Sequence, residues 1–403
     1  MRPHPILIPT IAAALLTLTA CAGPASAPDA PTDGTDTHGA VSGAAEMSEP
    51  QLHLMTVDPT GTVAHLDLLT EESTDIGGIG SVTTTASDGR YLFAAGDGVR
   101  IVDSGVWTWD HVDHFHYYRA EPRILGTVPD AGAVAVATTN SSTTGGIGLF
   151  FAETGAAVLL DTAALSKGEI VESFRLNTTP HAGYVVPVGS FALVTDGAGA
   201  VTVHESTGDT VADSTVPCVD PRGTITTRVG AVLGCRDGAL LATVTADTVH
   251  IERIPYPEGV GPVTSFANRE GRPTVAGLDA AGRILLLDTR ERSWRVLPAP
   301  APLLTVTAVD DAAEHVLGLG ADGRVLVIDG ASGALLAATE PLVADTIAAG
   351  SASGVRLLAD DHRAYLNAPV ERLLYEIDYA DAARIARTFV TPTAPVHLVE
   401  TGR

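Results

Sequence analysis

Short stretches of alternating apolar and polar residues, separated by turns rich in Gly and Asp, recur from residue 51 to the end of the chain. Alternation with a period of two is typical of β-strands, so the pattern predicts a series of hairpins. The only helical signature in this region is short, at residues 381–387. We therefore expect an all-β fold.

The turns repeat at intervals of roughly 38 to 50 residues, the length of a four-stranded unit in a β-propeller. They lie at residues 58–61, 96–98, 144–146, 196–199, 236–238, 279–282, 321–323 and 360–362. Eight hairpins predict one propeller domain over residues 51–403 with eight blades, and seven blades are the alternative. Residues 395–400 are expected to return as a strand that completes the first blade and closes the ring.

The N-terminus resembles a bacterial lipoprotein signal. Arg2 and His4 precede an apolar run at residues 6–18, which is too short to span a membrane and is followed by Leu-Thr-Ala and Cys21. We expect cleavage after residue 20, acylation of Cys21, and an extracytoplasmic protein that contacts the membrane only through its lipid anchor. A cytosolic protein with an apolar start is the alternative.

Residues 21–50 contain almost no large apolar side chains, so they are expected to form a flexible tether. The tether contains Asp33, Asp36 and His38. They suggest either a weak metal-collecting arm or, as the simpler interpretation, an ordinary solvated linker.

The chain carries 48 acidic and 24 basic residues, a formal charge of −24. Such a charge repels nucleic acid and anionic membrane surfaces and attracts cations or basic partners. We expect a monomer that does not bind nucleic acid.

Besides Cys21, the chain has Cys218 and Cys235. An oxidising compartment favours a disulfide between them, which would stabilise the fold by about 3 kcal/mol in the chain-entropy model. Two thiolate metal ligands are the alternative, although no second cysteine pair lies nearby.

Residues 110–118 concentrate groups that bind metals. His111 and Asp113 are two residues apart, as are His114 and His116, so each pair can present its donors on one side of an extended chain. Imidazole and carboxylate donors suit Zn²⁺, and Cu²⁺ or Ni²⁺ are chemically possible. The alternative is a polar, aromatic surface loop.

We place this stretch in a long connection between the third strand of the second blade, ending near Asp103, and a fourth strand beginning near Tyr117. Long excursions from a rigid repeat often carry function. Trp107 and Trp109 precede the stretch, either as walls of the site or as plugs in the outer groove of the blade.

Other histidines are weaker candidates. His181 is expected at the start of an innermost strand, at the rim of the central channel, and is kept as a possible further ligand. Single histidines elsewhere are expected to be structural or exposed; these are His204, His250, His315 and His362. No catalytic motif of a hydrolase, nucleotide-binding protein or metalloprotease appears, so we do not expect an enzyme.

Three stretches resemble the AztD-type zinc metallochaperones: residues 109–120, the cysteine pair with residues 234–238, and residues 375–403. The resemblance implies a β-propeller that delivers Zn²⁺ to the solute-binding protein of a zinc ABC importer. It also implies that His111, Asp113, His114 and His116 form the metal-binding stretch. One departure is Arg222, which stands where the family pattern after the first cysteine has a histidine.

The favoured function is therefore a membrane-tethered zinc-binding chaperone. Two alternatives remain open: a propeller enzyme, such as a metal-dependent lactonase or oxidoreductase acting at the channel, and an interaction scaffold with an incidental histidine loop.

Overall fold

The computed structural model describes residues 39–110 and 114–403. The predicted signal peptide, Cys21, His38, His111 and Asp113 lie outside these residues. Within the described part of the chain, no helix is long and apolar enough to cross a membrane.

Strands make up most of the ordered elements. The first half contains β1 Ala45–Met47, β2 His53–Val57, β3 Thr62–Asp67, β4 Ser73–Gly78, β5 Val82–Ser87, β6 Tyr91–Gly96, β7 Gly98–Asp103, β8 Val106–Asp110, β9 Phe115–Arg119, β10 Arg123–Val128, β11 Val134–Ala137, β12 Gly146–Phe151, β13 Ala156–Asp161, β14 Glu172–Asn177, β15 Val185–Val188, β16 Phe191–Thr195 and β17 Ala200–Glu205.

The second half contains β18 Val216–Pro217, β19 Thr224–Thr226, β20 Ala231–Cys235, β21 Gly238–Thr245, β22 Thr248–Pro255, β23 Thr274–Leu278, β24 Ile284–Asp288, β25 Ser293–Leu297, β26 Leu303–Ala308, β27 His315–Gly320, β28 Val325–Asp329, β29 Leu335–Ala338, β30 Leu357–Ala359, β31 Ala364–Ala368, β32 Leu373–Asp378, β33 Arg384–Val390 and β34 His397–Thr401. The helices are short: α1 Thr162–Ser166, α2 Ala344–Ala348 and a 3₁₀ turn at Ala352–Gly354. The predicted all-β class is confirmed.

Most sheets consist of four antiparallel strands that are consecutive in the chain. Their orders are β11-β12-β13-β14, β15-β16-β17-β18, β19-β20-β21-β22, β26-β27-β28-β29 and β30-β31-β32-β33, with β23-β24-β25 as a shorter member. The sheet β10-β7-β6-β5 is interrupted in sequence, because β8 and β9 leave it and pair with β1 instead.

The end of the chain pairs with its beginning. Strand β34 lies antiparallel to β2, from His53 opposite Thr401 to Val57 opposite His397, in the order β34-β2-β3-β4. Val399 packs beside Met55 in the same apolar cluster. The predicted return of the C-terminal segment as a strand of the first sheet is confirmed.

The predicted turns form for a local reason. The side-chain oxygen Oδ1 of Asp58 accepts hydrogen bonds from the backbone N–H groups of Thr60 (2.8 Å) and Thr62 (3.0 Å). Between them, Gly61 has a φ of +83°, and a Cβ there would lie 1.8 Å from the carbonyl oxygen of Gly80. The Asp279 turn repeats these bonds to Ala281 and Arg283.

The strands β5, β11, β19, β26, β30 and β34 line one cavity of about 340 Å³. Threonine hydroxyls connect different sheets around it. Thr138 donates to the carbonyl oxygen of Ser87, and Thr226 donates to that of Thr138. The apolar core lies between adjacent sheets rather than at this cavity.

Two expectations about local structure are wrong. The helical signature at residues 381–387 is instead a turn followed by β33, because Ala382 and Ala383 adopt positive φ angles of 52° and 57° and Arg384 pairs with Asp378. Tyr117 does not begin the fourth strand of the second sheet, which is β10-β7-β6-β5, but lies on β9. That position is taken by β10, which pairs with β7.

Candidate metal site

The candidate site is built on a small three-stranded sheet in the order β1-β9-β8. Strands β8 and β9 form a hairpin in which Trp109 lies opposite His116 and Trp107 opposite Tyr118. Strand β1 covers the other edge of β9, with Glu46 opposite Tyr118. Since β1 lies within residues 21–50, the ordered structure begins earlier than the composition of that segment predicts.

The structure brings two of the predicted ligands together. His114 and His116 are two residues apart, and their Nε2 atoms are 2.9 Å apart. The imidazole rings meet edge to face, with centroids 4.6 Å apart. Two imidazole nitrogens that converge in this way are suited to binding one divalent cation.

A third side chain, which is acidic, contacts this pair, and the sequence pattern did not indicate it. The Oε1 atom of Glu46 lies 2.6 Å from Nδ1 of His116, on the opposite side of the ring from Nε2. The side chain of His116 is 17% exposed and that of Glu46 is 58% exposed.

The two tryptophans have different environments. Trp107 is fully buried, stacks on Tyr118 with centroids 5.2 Å apart, and donates a 3.1 Å hydrogen bond to the carbonyl oxygen of Gly39. The Arg90 guanidinium lies 3.8 Å above its ring. Trp109 is beside the site, with its ring 5.8 Å from that of His116. Trp107 therefore fills the buried interior behind the hairpin, and Trp109 lies at the side of the candidate site.

A second histidine cluster, the inner histidine pair, consists of His53 on β2 and His65 on β3. Nδ1 of His53 lies 2.7 Å from Nε2 of His65, and Nε2 of His53 lies 3.4 Å from the Oδ2 atom of Asp67. Arg119, at the end of β9, donates a 2.9 Å hydrogen bond to the same Oδ2 atom. This bond connects the strand that carries His116 to the first sheet.

Burial determines the charge of the inner histidine pair. Desolvation lowers the pKa of His65 to about 3, and the neighbouring His53 and Arg119 act in the same direction. Desolvation also lowers the pKa of His53, against the attraction of Asp67. Burial alone would raise the pKa of Asp67, but the N–H groups of Leu69 and Thr70 hold it below its usual value. The pair is therefore neutral at pH 7.

Comparison with known proteins identifies solved structures that share the fold of this chain. No family model matches the sequence, and no curated protein matches it. A crystal structure of AztD from Citrobacter koseri and a structure of the apo form of AztD from the same organism superpose with TM-scores of 0.73 and 0.72 at 21% and 20% sequence identity. Each alignment covers 88% of this chain and 99% or 98% of the other.

The chain has the AztD fold. A computationally designed protein, Ika8, is more distantly similar, with a TM-score of 0.51, 15% identity, and coverage of 80% of this chain and 92% of that chain. The resemblance to AztD-type proteins inferred from sequence motifs is confirmed at the level of the fold.

His181 is expected from the sequence at the start of an innermost strand. It lies instead in the loop before β15, which begins at Val185. Its Nδ1 atom is 2.6 Å from the carbonyl oxygen of Thr179, and its Nε2 atom is 2.8 Å from the hydroxyl of Thr195. It lines a cavity of about 500 Å³ together with Asp220 and Arg222, the position at which this chain departs from the family pattern.

The predicted disulfide between Cys218 and Cys235 is confirmed, with Cα atoms 5.2 Å apart. Both cysteines are buried and pack in the apolar cluster of the β15 and β19 sheets. The alternative of two thiolate ligands does not apply to this structure.

Among the described residues, no group of three or more His, Cys, Asp or Glu side chains is arranged to hold a metal ion. His114 and His116 supply two nitrogen donors, which are the donor type that Zn²⁺ accepts. Further donors at His111 and Asp113 stay a prediction, since both lie outside the described residues. At the inner histidine pair two nitrogens face each other, and Asp67 lies at the far side of His53.

Proposed function

We propose that this protein is a zinc-binding metallochaperone that delivers Zn²⁺ to the solute-binding protein of a zinc ABC importer. One observation carries the proposal: within an AztD fold, the Nε2 atoms of His114 and His116 face each other, 2.9 Å apart, at the exposed start of β9 in the predicted ligand stretch. Zn²⁺ is the cargo in this proposal. His111 and Asp113 are the proposed additional ligands, and His181 is a weaker candidate, because both of its ring nitrogens contact Thr179 and Thr195.

The chemistry of the donors supports transfer rather than permanent storage. Neutral imidazoles bind Zn²⁺ without a thiolate, and a site with an open position allows an incoming ligand to take the ion by exchange. His116 is partly exposed, so a partner can approach it. The acidic chain would also attract cations over a distance.

We propose that the fold is an eight-bladed β-propeller. Eight sheets follow one another along the chain, if the small sheet of β1, β8 and β9 is counted as an excursion. The first strand of the proposed ring then lies beside the last strand, and the strands around the 340 Å³ cavity are the innermost strands of their blades.

We further propose a binding role without catalysis, in a monomer held outside the cytoplasm by acylated Cys21. Two charged groups at the cavity, Arg403 and Glu400, form an ion pair, which argues for a structural role of these two side chains. Arg403 donates 2.6 and 3.0 Å hydrogen bonds to Oε1 of Glu400.

The test is a zinc titration of the full chain in competition with a chromophoric chelator. We compare wild type with the double variant His114→Ala/His116→Ala. The matched control, His250→Ala/His362→Ala, removes two exposed histidines elsewhere. We expect tight stoichiometric binding in wild type and control, and a loss of at least 100-fold in affinity in the site variant.

Transfer is then measured by mixing the zinc-loaded protein with an apo solute-binding protein of a zinc importer. We expect direct transfer that is faster than spontaneous release into a chelator. Equal affinity in all three proteins, or transfer no faster than release, would contradict the proposal.

A further inference from the structure

Glu46 reaches the candidate site from a segment with the composition of a linker. It is the central residue of β1, which pairs through Ala45 opposite Arg119, Glu46 opposite Tyr118 and Met47 opposite Tyr117. This pairing carries the Glu46 carboxylate to 2.6 Å from Nδ1 of His116. The contact between Glu46 and His116 therefore depends on the pairing of the three residues of β1 with β9.

The position of the carboxylate determines which nitrogen of His116 carries the proton. A carboxylate oxygen accepts a hydrogen bond, so Nδ1 is the protonated nitrogen in the neutral ring and Nε2 retains its lone pair. That lone pair faces Nε2 of His114, 2.9 Å away, and accepts a hydrogen bond from it when the His114 ring carries its proton on Nε2. The same lone pair is the one that a metal ion requires.

We propose that Glu46 is a positioning residue that orients His116 for metal binding, and that β1 is a detachable clasp whose release weakens the site. The proposal rests on the proposed function and names the element that controls it. A carboxylate on the far nitrogen of a metal-binding histidine fixes the tautomer and ring orientation, and its loss typically lowers metal affinity by about 10- to 100-fold.

Strand β1 is suited to detachment. It has three residues, it lies at the edge of its sheet, and Ala45 and Glu46 are exposed. Short edge elements with few buried apolar contacts open locally at low free-energy cost. Glu46 moves with the strand, so opening would separate the carboxylate from His116 while β8 and β9 remain paired with each other.

The first experiment compares Glu46→Ala with Glu49→Ala, which removes the same charge from an exposed position three residues away. Glu46→Gln is the conservative variant, because its amide oxygen can still accept a hydrogen bond from Nδ1–H. In competition titrations we expect zinc affinity to fall by about 10- to 100-fold in Glu46→Ala. Glu49→Ala should match wild type, and Glu46→Gln should recover part of the loss.

A second readout does not depend on zinc. Long-range ¹H–¹⁵N spectra of the apo full chain distinguish the histidine tautomers, and the signals of His116 are assigned with His116→Ala. We expect the Nδ1–H tautomer in wild type and in Glu46→Gln, and a shift toward Nε2–H in Glu46→Ala. An unchanged tautomer in Glu46→Ala, or equal zinc affinity in Glu46→Ala and Glu49→Ala, would overturn the positioning role.

The clasp is tested by cross-linking β1 to β9 with Met47→Cys/Tyr117→Cys. Residues opposite each other in antiparallel strands have Cα atoms about 4.5 to 5.5 Å apart, which suits a disulfide. We expect the oxidised form to bind zinc as wild type does but to release it to excess chelator at least tenfold more slowly. The reduced form should behave as wild type, and wild type with and without reductant controls for the native disulfide.

Equal release rates in the oxidised and reduced forms would overturn the clasp. These results remain distinguishable from a failure of the proposed function. If wild type does not bind zinc through His114 and His116, the function is wrong, while the tautomer of His116 still reports whether Glu46 orients it.

Discussion

At the scale of single residues, the inner histidine pair shows how burial and register together determine a side chain's charge. His65 and Asp67 repeat the two-residue spacing of His111 and Asp113, so the sequence contained a signal for them. The contact between His65 and His53 depends on the register of β2 and β3, in which His53 lies opposite Asp67. That register cannot be read from spacing alone.

The depressed pKa of His65 predicts a pH-dependent contribution to stability. The side chain titrates near 6.5 in the unfolded chain and near 3 in the folded protein, so the unfolded state binds more protons between these values. Its contribution is present above pH 6.5 and is lost as pH falls. For this group alone, we expect the free energy of unfolding to decrease by about 2 kcal/mol from pH 6.5 to 5.

Urea unfolding at several pH values measures this effect as the difference between wild type and His65→Gln. The difference is needed because burial raises the pKa of Asp88 to about 7, which gives a contribution of opposite sign in the same range. As a control, the difference between wild type and His250→Gln, a substitution at an exposed position, should stay constant over the same pH values. A constant difference between wild type and His65→Gln would show that His65 is not held neutral by the fold.

At the scale of secondary-structure elements, Trp107 holds the small sheet against the second sheet. Its buried ring lies between the Arg90 guanidinium and Tyr118, and Arg90 is itself bound to both carboxylate oxygens of Asp103. Removing a buried tryptophan side chain typically costs about 3 to 5 kcal/mol. We expect Trp107→Ala to have this effect and also to lower zinc affinity.

The matched control is Trp294→Ala, which removes a partly buried tryptophan that packs on Tyr256 and Phe266 in another sheet. It should destabilise the protein without changing zinc affinity. Unfolding midpoints and competition titrations are measured for both variants. Equal zinc affinity in the two variants would show that the β8–β9 hairpin, with His114 and His116, keeps its geometry without Trp107.

The same hairpin shows what could be predicted from the sequence. Strands and turns followed from local alternation and from Asp and Gly positions, as the Asp58 and Asp279 turns confirm. The pairing of His114 with His116 followed from their spacing. Strand β1 could not be predicted, because its partner β9 lies about 70 residues away and its composition is that of a tether.

At the scale of the whole molecule, the decisive contact is between the two ends of the domain. The pairing of β34 with β2 joins the C-terminal strand to the first sheet, and Gly402 donates a 2.7 Å backbone hydrogen bond to the carbonyl oxygen of Gly89 in the next sheet. With β34 paired to one side and β3 to the other, β2 has a neighbouring strand on both edges.

The last prediction concerns this closure and uses two valines near the C-terminus. Val399 on β34 is 6% exposed and packs beside Met55, whereas Val390 on β33 is 82% exposed. We expect Val399→Lys to lower stability by more than about 3 kcal/mol, since it places a charge in the apolar layer between sheets. Val390→Lys should change stability by less than about 0.5 kcal/mol.

Urea unfolding midpoints and limited proteolysis measure both variants. If the closing strand keeps the domain in one cooperative unit, Val399→Lys should expose cleavage sites in the first and last sheets before the others. Cleavage in the same order for both variants would mean that the sheets retain their packing without the apolar side chain of Val399, and that the pairing of β34 with β2 affects only the first sheet.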